Sequence, residues 1–381
     1  MDESVHHDAT PPDDLLESTL LLSLIPDVGP RTYKLLIERF GSPPAVLAAS
    51  PAELREVRGV GPKLCRQIVA ARETLDPAAE LELCRANDIT VLTQADPEYP
   101  RLLREIPDPP AVLFVKGTLL ANDALAVAIV GTRHATRYGL DQAERLAAGL
   151  ARAGLTVVSG LARGVDGAAH RGALEAGGRT IAVLASGLLN IFPPEHKELS
   201  ELVANQGAIL SEAPSTREPL SGTFPQRNRL ITGLSLGLIV VEAADRSGAL
   251  ISARHAMEQN REVFAVPGRI DSRMSRGCHG LIRDGARLVS SVDDVLEELG
   301  PLVEPARDRH GREVRHAAEL QLNDQERQVL DAIEIDATSI DQVAASSGLP
   351  VQRVLATLSV LEVRRLVRRI GGNQVSRVPG L

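Results

Sequence analysis

The residues with the clearest chemical potential stand directly after two short apolar runs. Gly131-Thr132-Arg133 follows the run Ala126–Val130, and Ser159-Gly160 with Arg163-Gly164 follows the run Thr156–Val158. Glycine exposes backbone N–H groups, and arginine supplies paired donors with a fixed positive charge. Loops built from glycine, serine, threonine and arginine are therefore typical of a site that binds anionic groups.

Strands and helices in alternation must position these loops. Further apolar runs lie at Thr180–Leu184, Ala208–Leu210, Gly237–Glu242, Glu262–Val266 and Ala286–Val289, and helix-compatible segments separate them. Short buried strands that alternate with helices predict an α/β fold with a parallel, doubly wound, Rossmann-like sheet. Ligands of such sheets bind beyond the carboxyl ends of the strands, which is where the glycine and arginine residues fall.

Composition limits the class of protein. The 381 residues have room for two or three domains, and 44% of them are hydrophobic, so most of the chain can bury a core. The sequence has no apolar run long enough for a membrane span, and its acidic N-terminus lacks the positive region of a signal peptide. Three widely spaced cysteines, Cys65, Cys84 and Cys278, predict reduced thiols in a cytoplasmic protein rather than disulfides or a zinc site.

The net charge of −8 argues against a nucleic-acid partner, but the charges are unevenly distributed. The first twenty residues contain six acidic residues and no Lys or Arg, and residues 283–341 are also acidic. Residues 21–74 and 351–381 are net basic. Local fields rather than the total charge decide what a surface attracts, so a polyanionic partner remains open.

An internal repeat occupies the N-terminal region. Val28-Gly29-Pro30-Arg31 recurs as Val60-Gly61-Pro62-Lys63, and a helical pattern follows each copy. A glycine hairpin between two helices presents backbone N–H groups at a helix start, so the repeat resembles a tandem helix-hairpin-helix (SAM-like) module that grips nucleic-acid phosphates. The same glycines suit plain turns in a protein-binding module, and the residues leave both interpretations open.

The C-terminal region has the order of helices and strands that is typical of a winged helix. Helices are predicted at Asp324–Ile333, Ser339–Ser346 and Val351–Glu362, and a short hairpin begins near Leu366. Gln352 and Arg353 take the recognition-helix position. Arginines cluster at the end of this region, at Arg364, Arg365, Arg368, Arg369 and Arg377. Modules of this kind bind either duplex DNA or protein.

The expected organisation has five parts. Residues 1–14 are predicted to be disordered, 15–79 to form the helical module, and 80–300 the Rossmann-like domain. A linker at 301–320 and the winged helix at 321–381 follow. At the start of the central domain we expect a helix to Asn87, a strand Ile89–Thr93 and an edge strand Ala111–Val115, because prolines precede the latter.

Catalytic, cofactor and metal sites are not indicated. Gly131-Thr132-Arg133 lacks the Gly-x-Gly-x-x-Gly pattern of a dinucleotide site. Asp166 is expected to cap the helix that follows it, and His170 to be a hydrogen-bonded structural residue, because no Ser or Cys nucleophile stands at a recognisable spacing. His134, His170, His196 and Asp166 do not match the spacing of metal ligands.

Taken in order, the motifs of residues 95–290 resemble the DNA-processing protein A (DprA/Smf) family. The matching segments are Ile129–Arg133, Ser159–Asp166 with Ala169-His170, Phe192–His196, Ser211-Glu212, Phe224–Arg229, Val241-Glu242, Ser247–Ile251, Val266-Pro267-Gly268, Gly277-Cys278 and Leu281-Ile282. Phe192 stands for the family's common Tyr and His279 for its common Asn. The resemblance implies a protein that binds single-stranded DNA, loads the RecA recombinase onto it in natural transformation, and forms a homodimer through the central domain.

The resemblance and the loop chemistry together give the predicted DNA-binding residues. These are Gly131, Thr132, Arg133, Ser159, Gly160, Arg163, Gly187, Phe192, Lys197, Arg227, Asn228, Arg229, Ser247 and Gly248. The cations are expected to follow the phosphates without reading sequence, and Phe192 to stack a base. Arg227 and Arg229 equally suit a salt-bridged helix start that pairs with Glu212 or Glu242, and Phe192 suits ordinary packing.

Two other functions compete with DNA binding. Nucleotide-cleaving Rossmann-type hydrolases use a Pro-Gly-Gly-x-Gly-Thr loop and a catalytic Glu, but here Pro267-Gly268-Arg269-Ile270 breaks that loop and Glu242 lacks its accompanying residues. A protein adaptor would use only the two end modules. For the dimer, apolar residues near Leu281-Ile282 and Val289 are candidates, and burial within one chain explains them as well.

Overall fold

The computed structural model describes residues 12–300, 306–307, 313–314, 324–334, 337–363, 366–371 and 373–378. Six helices form the N-terminal part: α1 (Pro12–Leu24), α2 (Pro30–Phe40), α3 (Pro43–Ala48), α4 (Pro51–Glu56), α5 (Pro62–Thr74) and α6 (Pro77–Ala86). Proline occupies the first position of each, where its missing N–H costs nothing and its fixed φ suits a helix start. Helix α1 begins at Pro12, so the predicted disorder is wrong for residues 12–14, and residues 1–11 lie outside the described chain.

Strands and helices alternate through the centre of the chain. The elements are β1 (Ile89–Thr93), α7 (Arg101–Arg104), β2 (Val112–Gly117), β3 (Ala126–Val130), α8 (Arg137–Arg152), β4 (Thr156–Ser159), α9 (Val165–Glu175), β5 (Thr180–Val183), α10 (Lys197–Gln206), β6 (Ala208–Ser211), α11 (Thr223–Gly233), β7 (Gly237–Val240), α12 (Gly248–Glu258), β8 (Glu262–Ala265), α13 (Arg276–Arg283), β9 (Arg287–Leu288) and α14 (Val292–Leu299). The alternation predicted from the sequence is confirmed.

The chain forms two compact units, the first made of Met1–Leu119 with Ile181–Gly233 and the second of Leu120–Thr180 with Leu234–Leu381. The strand order in the first unit is β1-β2-β6-β5. Strand β2 runs antiparallel to both β1 and β6, whereas β5 and β6 are parallel. The prediction that Ala111–Val115 forms an edge strand is therefore wrong, because β1 pairs along the outer side of β2.

In the second unit the strand order is β4-β3-β7-β8-β9, and the paired strands are parallel. Val127, Ile129 and Phe264 pack with helices α8, α9 and α14 in one apolar cluster. The alternate residues Ala128 and Leu238 are equally buried but lie outside that cluster. Since alternate residues of a strand face opposite sides, both faces of this sheet are covered, as a doubly wound sheet requires.

The helical module and the winged helix each have their own core. Helices α1 to α5 enclose an apolar cluster that includes Leu22, Leu36 and Ile68. The C-terminal elements are β10 (Ala306–Arg307), β11 (Glu313–Val314), α15 (Asp324–Asp331), β12 (Thr338–Ser339), α16 (Ile340–Ser347), α17 (Val351–Val363), β13 (Val367–Gly371) and β14 (Gln374–Arg377). Helices α15 to α17 and the sheet β12-β14-β13 form the predicted winged helix. Part of the predicted linker is a two-stranded ribbon of β10 and β11, and its other residues lie outside the described chain.

Helix α9 corrects one prediction about local structure. The helix begins at Val165, and its N-cap is Gly164, with φ +74°. Asp166 lies inside the first turn and is buried, so the prediction that it caps the helix is wrong. The left-handed conformation that only glycine adopts easily sets the helix start ahead of Asp166.

Among the residues that the structure describes, no helix is both long and apolar enough to cross a membrane. Within the same ranges, no cluster of three His, Cys, Asp or Glu side chains is arranged to hold a metal ion.

All three cysteine side chains are buried, and burial raises the pKa of Cys84 to about 11 and that of Cys278 to about 12. The thiolate is the reactive form, so at pH 8 the thiols of Cys84 and Cys278 are both inaccessible and protonated. We expect Ellman's reagent to titrate fewer than one thiol in the native protein and all three in denaturant. A native count of two or more would contradict the burial of Cys65, Cys84 and Cys278.

Candidate nucleic-acid interface

Glu242 holds the loop that follows β3. Its carboxylate accepts hydrogen bonds from the backbone N–H of Thr136 (2.9 Å) and from the Thr136 hydroxyl (2.7 Å). The Glu242 carbonyl accepts a third from the N–H of Thr132 (2.7 Å). Thr136 also caps α8 by accepting from the N–H of Gly139. Glu242 is buried, so these contacts fix Thr132–Thr136 firmly against the end of β7.

Two glycines allow the loops after β3 and β4 to approach each other. A Cβ on Gly131 would lie 2.5 Å from Val165 Cγ2, and one on Gly164 would collide with the carbonyl oxygen of Thr132. The N–H of Val165 donates to that same oxygen (3.3 Å). No side chain fits at Gly131 or Gly164, so the sequence pattern Gly-Thr-Arg followed by Arg-Gly has a packing reason.

The strand order places this loop pair at a favourable position for a ligand. The next strand of the chain, β4, lies on one side of β3, and β7 lies on the other. The direction of strand addition therefore reverses at β3, and open α/β sheets bind ligands beyond the carboxyl ends of strands at such a point. Arg133 and Arg163 are both exposed there.

The predicted residues of the second unit divide by burial. Ser159 is buried, and its hydroxyl donates to the carbonyl of Ile129 (2.6 Å), so it joins β4 to β3. Gly160 is also buried, whereas Gly131 and Thr132 are half-buried. The side chains most accessible to a ligand are therefore those of Arg133 and Arg163.

A third loop leads into α12. Ser247 caps this helix by accepting from the N–H of Ala249 (3.3 Å), and Gly248 is exposed at its first position. The exposed Arg246 stands directly before this pair and was missed by the sequence reasoning. Its position next to a Ser-Gly helix start is the signal that could have identified it, because a cation beside such a start favours an anion.

In the first unit, Arg227 and Arg229 are almost completely buried. Arg227 Nη1 donates to the carbonyl of Val183, and Arg229 Nη2 donates to Glu212 Oε2. Arg229 Nε also lies 3.2 Å from Asp108 Oδ2. The alternative interpretation, a salt-bridged helix start paired with Glu212, is confirmed for Arg229, and a DNA contact by either arginine stays a prediction.

Two opposing effects act on the pKa of the Glu212 carboxyl group. Burial raises the pKa of its carboxyl group, and the Arg229 guanidinium offsets part of that effect by charge and by hydrogen bonding. Burial of the Glu212 carboxylate without Arg229 would lower the stability of the fold. The ion pair therefore attaches α11 to the end of β6.

Phe192 and Phe224 contact each other edge to face, with ring centroids 5.8 Å apart. Phe192 is half-buried, so the packing alternative is confirmed while part of the ring stays accessible to a base. Lys197 is exposed at the start of α10, and Asn228 is half-buried on α11.

Gly187 belongs to a tightly joined pair of loops. Its N–H donates to the carbonyl of Arg217 (2.8 Å), and Leu189 N–H donates to that of Ser215 (2.9 Å). A side chain on Gly187 would collide with the carbonyls of Pro214 and Ser215. The N–H of Gly187 is thus used inside the protein, although we predicted that it faces a phosphate.

His170 is structural, as predicted. Its Nδ1 lies 2.7 Å from the hydroxyl of Thr180, and that hydroxyl donates to the carbonyl of Val157 (2.7 Å). Thr180 has one hydrogen to give, so His170 Nδ1 must be the donor in their contact. The imidazole is fully buried, so it is not placed to act as a solvent-exposed base.

The two hairpins of the helical module differ in charge. Gly29 and Gly61 are the N-caps of α2 and α5, and neither end has a side-chain cap. Asp27 adopts φ +71° at the position where the second copy has Gly59. Lys63 of the second hairpin pairs with Asp27 of the first (2.7 Å). The cation expected at a phosphate is therefore occupied within the module.

The winged helix presents a mixed surface on α17. Gln352 and Arg353 are exposed, as are the apolar residues Val351, Leu355 and Val360. Arg369 lies 3.3 Å from Glu362, and Arg368 donates to Ser376. Arg364 and Arg365 lie outside the described residues. Exposed apolar side chains are typical of a protein-binding surface and exposed arginines of one for duplex DNA, and the described part of α17 carries both.

A parallel sheet with glycine and arginine loops, accompanied by a helix-hairpin-helix module and a winged helix, defines a multidomain Rossmann-like protein. Family models match each part: DNA recombination-mediator protein A over residues 90–300, the DprA winged helix domain over 313–373, and a SAM-like helix-hairpin-helix tandem over 18–74. The chain belongs to the DprA/Smf family of DNA processing proteins.

Individual relatives agree with this assignment. Protein Smf of Synechocystis sp. is 36% identical over 94% of this chain and 98% of its own length. The X-ray structure of DNA processing protein A from Streptococcus pneumoniae has a TM-score of 0.64 at 35% identity, covering 74% of this chain and 95% of that one. A Helicobacter pylori structure, described by its single-stranded DNA binding mode, has a TM-score of 0.51 at 33% identity, covering 57% and 97%.

Gly139 provides a test of the Glu242 contacts. A methyl group there would lie against Glu242 Oε2 and Cδ, so Gly139→Ala must displace the carboxylate that holds Thr136. We expect a loss of about 1–3 kcal/mol in the free energy of unfolding, measured by urea denaturation. Gly280→Ala is the matched control, because Gly280 also lies in a helix and its added methyl meets open space. Equal stability of the two variants would show that Glu242 does not constrain this loop.

Proposed function

We propose that this protein binds single-stranded DNA without reading its sequence and loads RecA onto it. The strand is placed on the loops after β3 and β4, with phosphates at Arg133 and Arg163 and at the start of α12. Lys197, Asn228 and Phe192 are predicted to make further contacts. No bond of the DNA is broken.

One observation carries this proposal: two exposed arginines stand on loops that buried contacts hold at the carboxyl end of β3. Pre-ordered cations bind a polyanion without first losing loop entropy. The Helicobacter pylori relative, whose structure is described by its single-stranded DNA binding mode, supports the same ligand. The matching family description, a recombination mediator, supports the RecA step. Glu242, the acid considered for a hydrolase, has its carboxylate engaged by Thr136.

The double variant Arg133→Ala/Arg163→Ala tests the phosphate contacts. We expect it to lose about 100-fold in affinity for a 30-mer of dT at moderate salt, at about tenfold for each cation removed. For single strands, each phosphate contact contributes about −0.7 to the slope of log K against log salt concentration. Removal of two contacts should therefore make the slope shallower by about 1.4. Fluorescence anisotropy over a series of salt concentrations measures both quantities.

Arg152→Ala is the control for this experiment, because Arg152 is exposed on α8 and lies outside the predicted site. It should leave affinity and slope unchanged. A double variant with the wild-type slope would reject these loops as the strand-binding site. The same proteins test RecA loading: the wild type should shorten the lag of RecA ATPase on strands coated with single-strand binding protein, and the double variant should not.

We further propose a homodimer that forms through the β9 patch, defined as Ile270, Ile282 and Leu288. Ile270 is 91% exposed and Leu288 51% exposed, and polar residues including Arg276 and His279 surround the same shallow depression. Exposed apolar side chains with a polar rim are typical of a protein interface. Val289, the other candidate, is fully buried in the core of its own chain.

Leu288→Glu should weaken the dimer at least about tenfold, because it buries a charge at the centre of the contact. Sedimentation velocity across a concentration series measures the change. The control is Leu202→Glu, an equally exposed leucine on α10 away from the patch. Dimers that persist in Leu288→Glu and dissociate in the control would contradict the assignment.

A further inference from the structure

The first unit contains a cleft that the proposed strand-binding loops do not use. It has a volume of about 460 Å³ and lies between the first hairpin, Ser23–Pro30, and the segments that follow β5 and β6. This volume is in the range of small-molecule sites. The question is which ligand its walls would recognise.

The cleft opens where the parallel strands β5 and β6 end. Leu184 and Ala185 follow β5, Glu212 and Ala213 follow β6, and all four line the cleft. Carboxyl ends of parallel strands are the usual place for ligands in α/β sheets. The hairpin of the helical module adds a wall that the sheet alone would lack.

Apolar side chains make up part of the lining. Val112 and Leu184 are buried, and Pro110 and Val28 complete the apolar lining. Side chains of this type suit a flat ring, which fills a narrow apolar space with little loss of its own conformational freedom.

Several polar side chains line the cleft, and Glu212 and Arg217 are the two that suit the parts of a nucleotide. Glu212 Oε2 accepts from Arg229, and its other oxygen, Oε1, has no hydrogen-bond partner among the described residues. A carboxylate accepts and does not donate, so it selects a donor such as an amino group. Arg217 is exposed and lines the same cleft, which supplies a cation for a phosphate at the solvent side.

The wall that carries these groups is held in place before any ligand arrives. Glu80 Oε1 accepts from both the N–H and the hydroxyl of Ser215 (2.7 Å each), and the Arg217 carbonyl accepts from Gly187. The segment Ala213–Arg217 is therefore tied to α6 and to the loop after β5. A preformed wall lowers the entropy cost of binding.

We propose that this cleft binds one nucleotide whose base carries an exocyclic amino group, with the base between the apolar walls and the phosphate at Arg217. Adenine and cytosine offer that amino group toward Glu212, whereas thymine has no amino group and its one donor, N3–H, lies between two carbonyl oxygens that a carboxylate repels. The nucleotide is either free or one unit of a bound strand. In the second case the proposal rests on the proposed single-strand binding.

Calorimetric titration of the full chain with dAMP, dCMP and dTMP tests the free nucleotide. Ala213→Phe fills the cleft, and Arg217→Ala removes an exposed cation while keeping the backbone contacts of this loop. Each should weaken dAMP binding about tenfold or more. Ala48→Phe and Arg58→Ala are matched controls, because both residues are exposed in the helical module and lie outside the cleft. In the wild type, dAMP and dCMP should bind more tightly than dTMP.

A dT oligonucleotide with a single 2-aminopurine tests the strand as the source. If the base enters the cleft from a strand, its fluorescence changes on binding to the wild type and not to Ala213→Phe, while anisotropy reports equal binding of both proteins. The proposal is overturned if Ala213→Phe matches the wild type in both dAMP affinity and 2-aminopurine signal, or if the wild type gives neither. Anisotropy distinguishes the proposed strand binding from the proposed nucleotide cleft. If the protein binds the strand but the cleft stays unoccupied, only the cleft proposal is rejected.

Discussion

The arrangement of the second unit depends on one buried carboxylate. Glu242 stands just past the end of β7, and through three hydrogen bonds it fixes both ends of the segment Thr132–Thr136. Because that segment connects β3 to α8, the same contacts set where Arg133 leaves the sheet and where α8 begins. A group that resembles a catalytic acid in sequence thus determines the geometry of the loop between β3 and α8.

Glu212 has a parallel role in the first unit. It also follows directly after a strand, β6, and its partner is a side chain, Arg229, rather than a backbone segment. Asp108 adds a second acid to the same guanidinium. In both units an acid at the strand end holds a neighbouring segment in place, and exposed arginines stand on the loops nearby.

Much of the fold could be predicted from the sequence, because strand and helix signals here are local. The run Ala126–Val130 is a strand over those same residues, and a first-position proline or a Ser or Thr cap marks most of the described helix starts. Predictions failed where a distant segment decides the outcome. Nothing near Ala111–Val115 shows that β1 will pair along its outer side, and nothing near Arg229 shows that Asp108 will reach it in addition to Glu212. The family resemblance identified the motif residues, but only the packing separates buried Ser159 from exposed Arg163.

The ion pair between Asp27 and Lys63 has a consequence for the helical module as a whole. The two hairpins are copies of one another, yet one copy supplies the counterion of the other. If a polyanion approached Lys63, the lysine would exchange its partner Asp27 for a phosphate. Binding would then gain only the difference between the two interaction energies. The number of basic residues in this duplicated module therefore overestimates the attraction of the module for a nucleic acid.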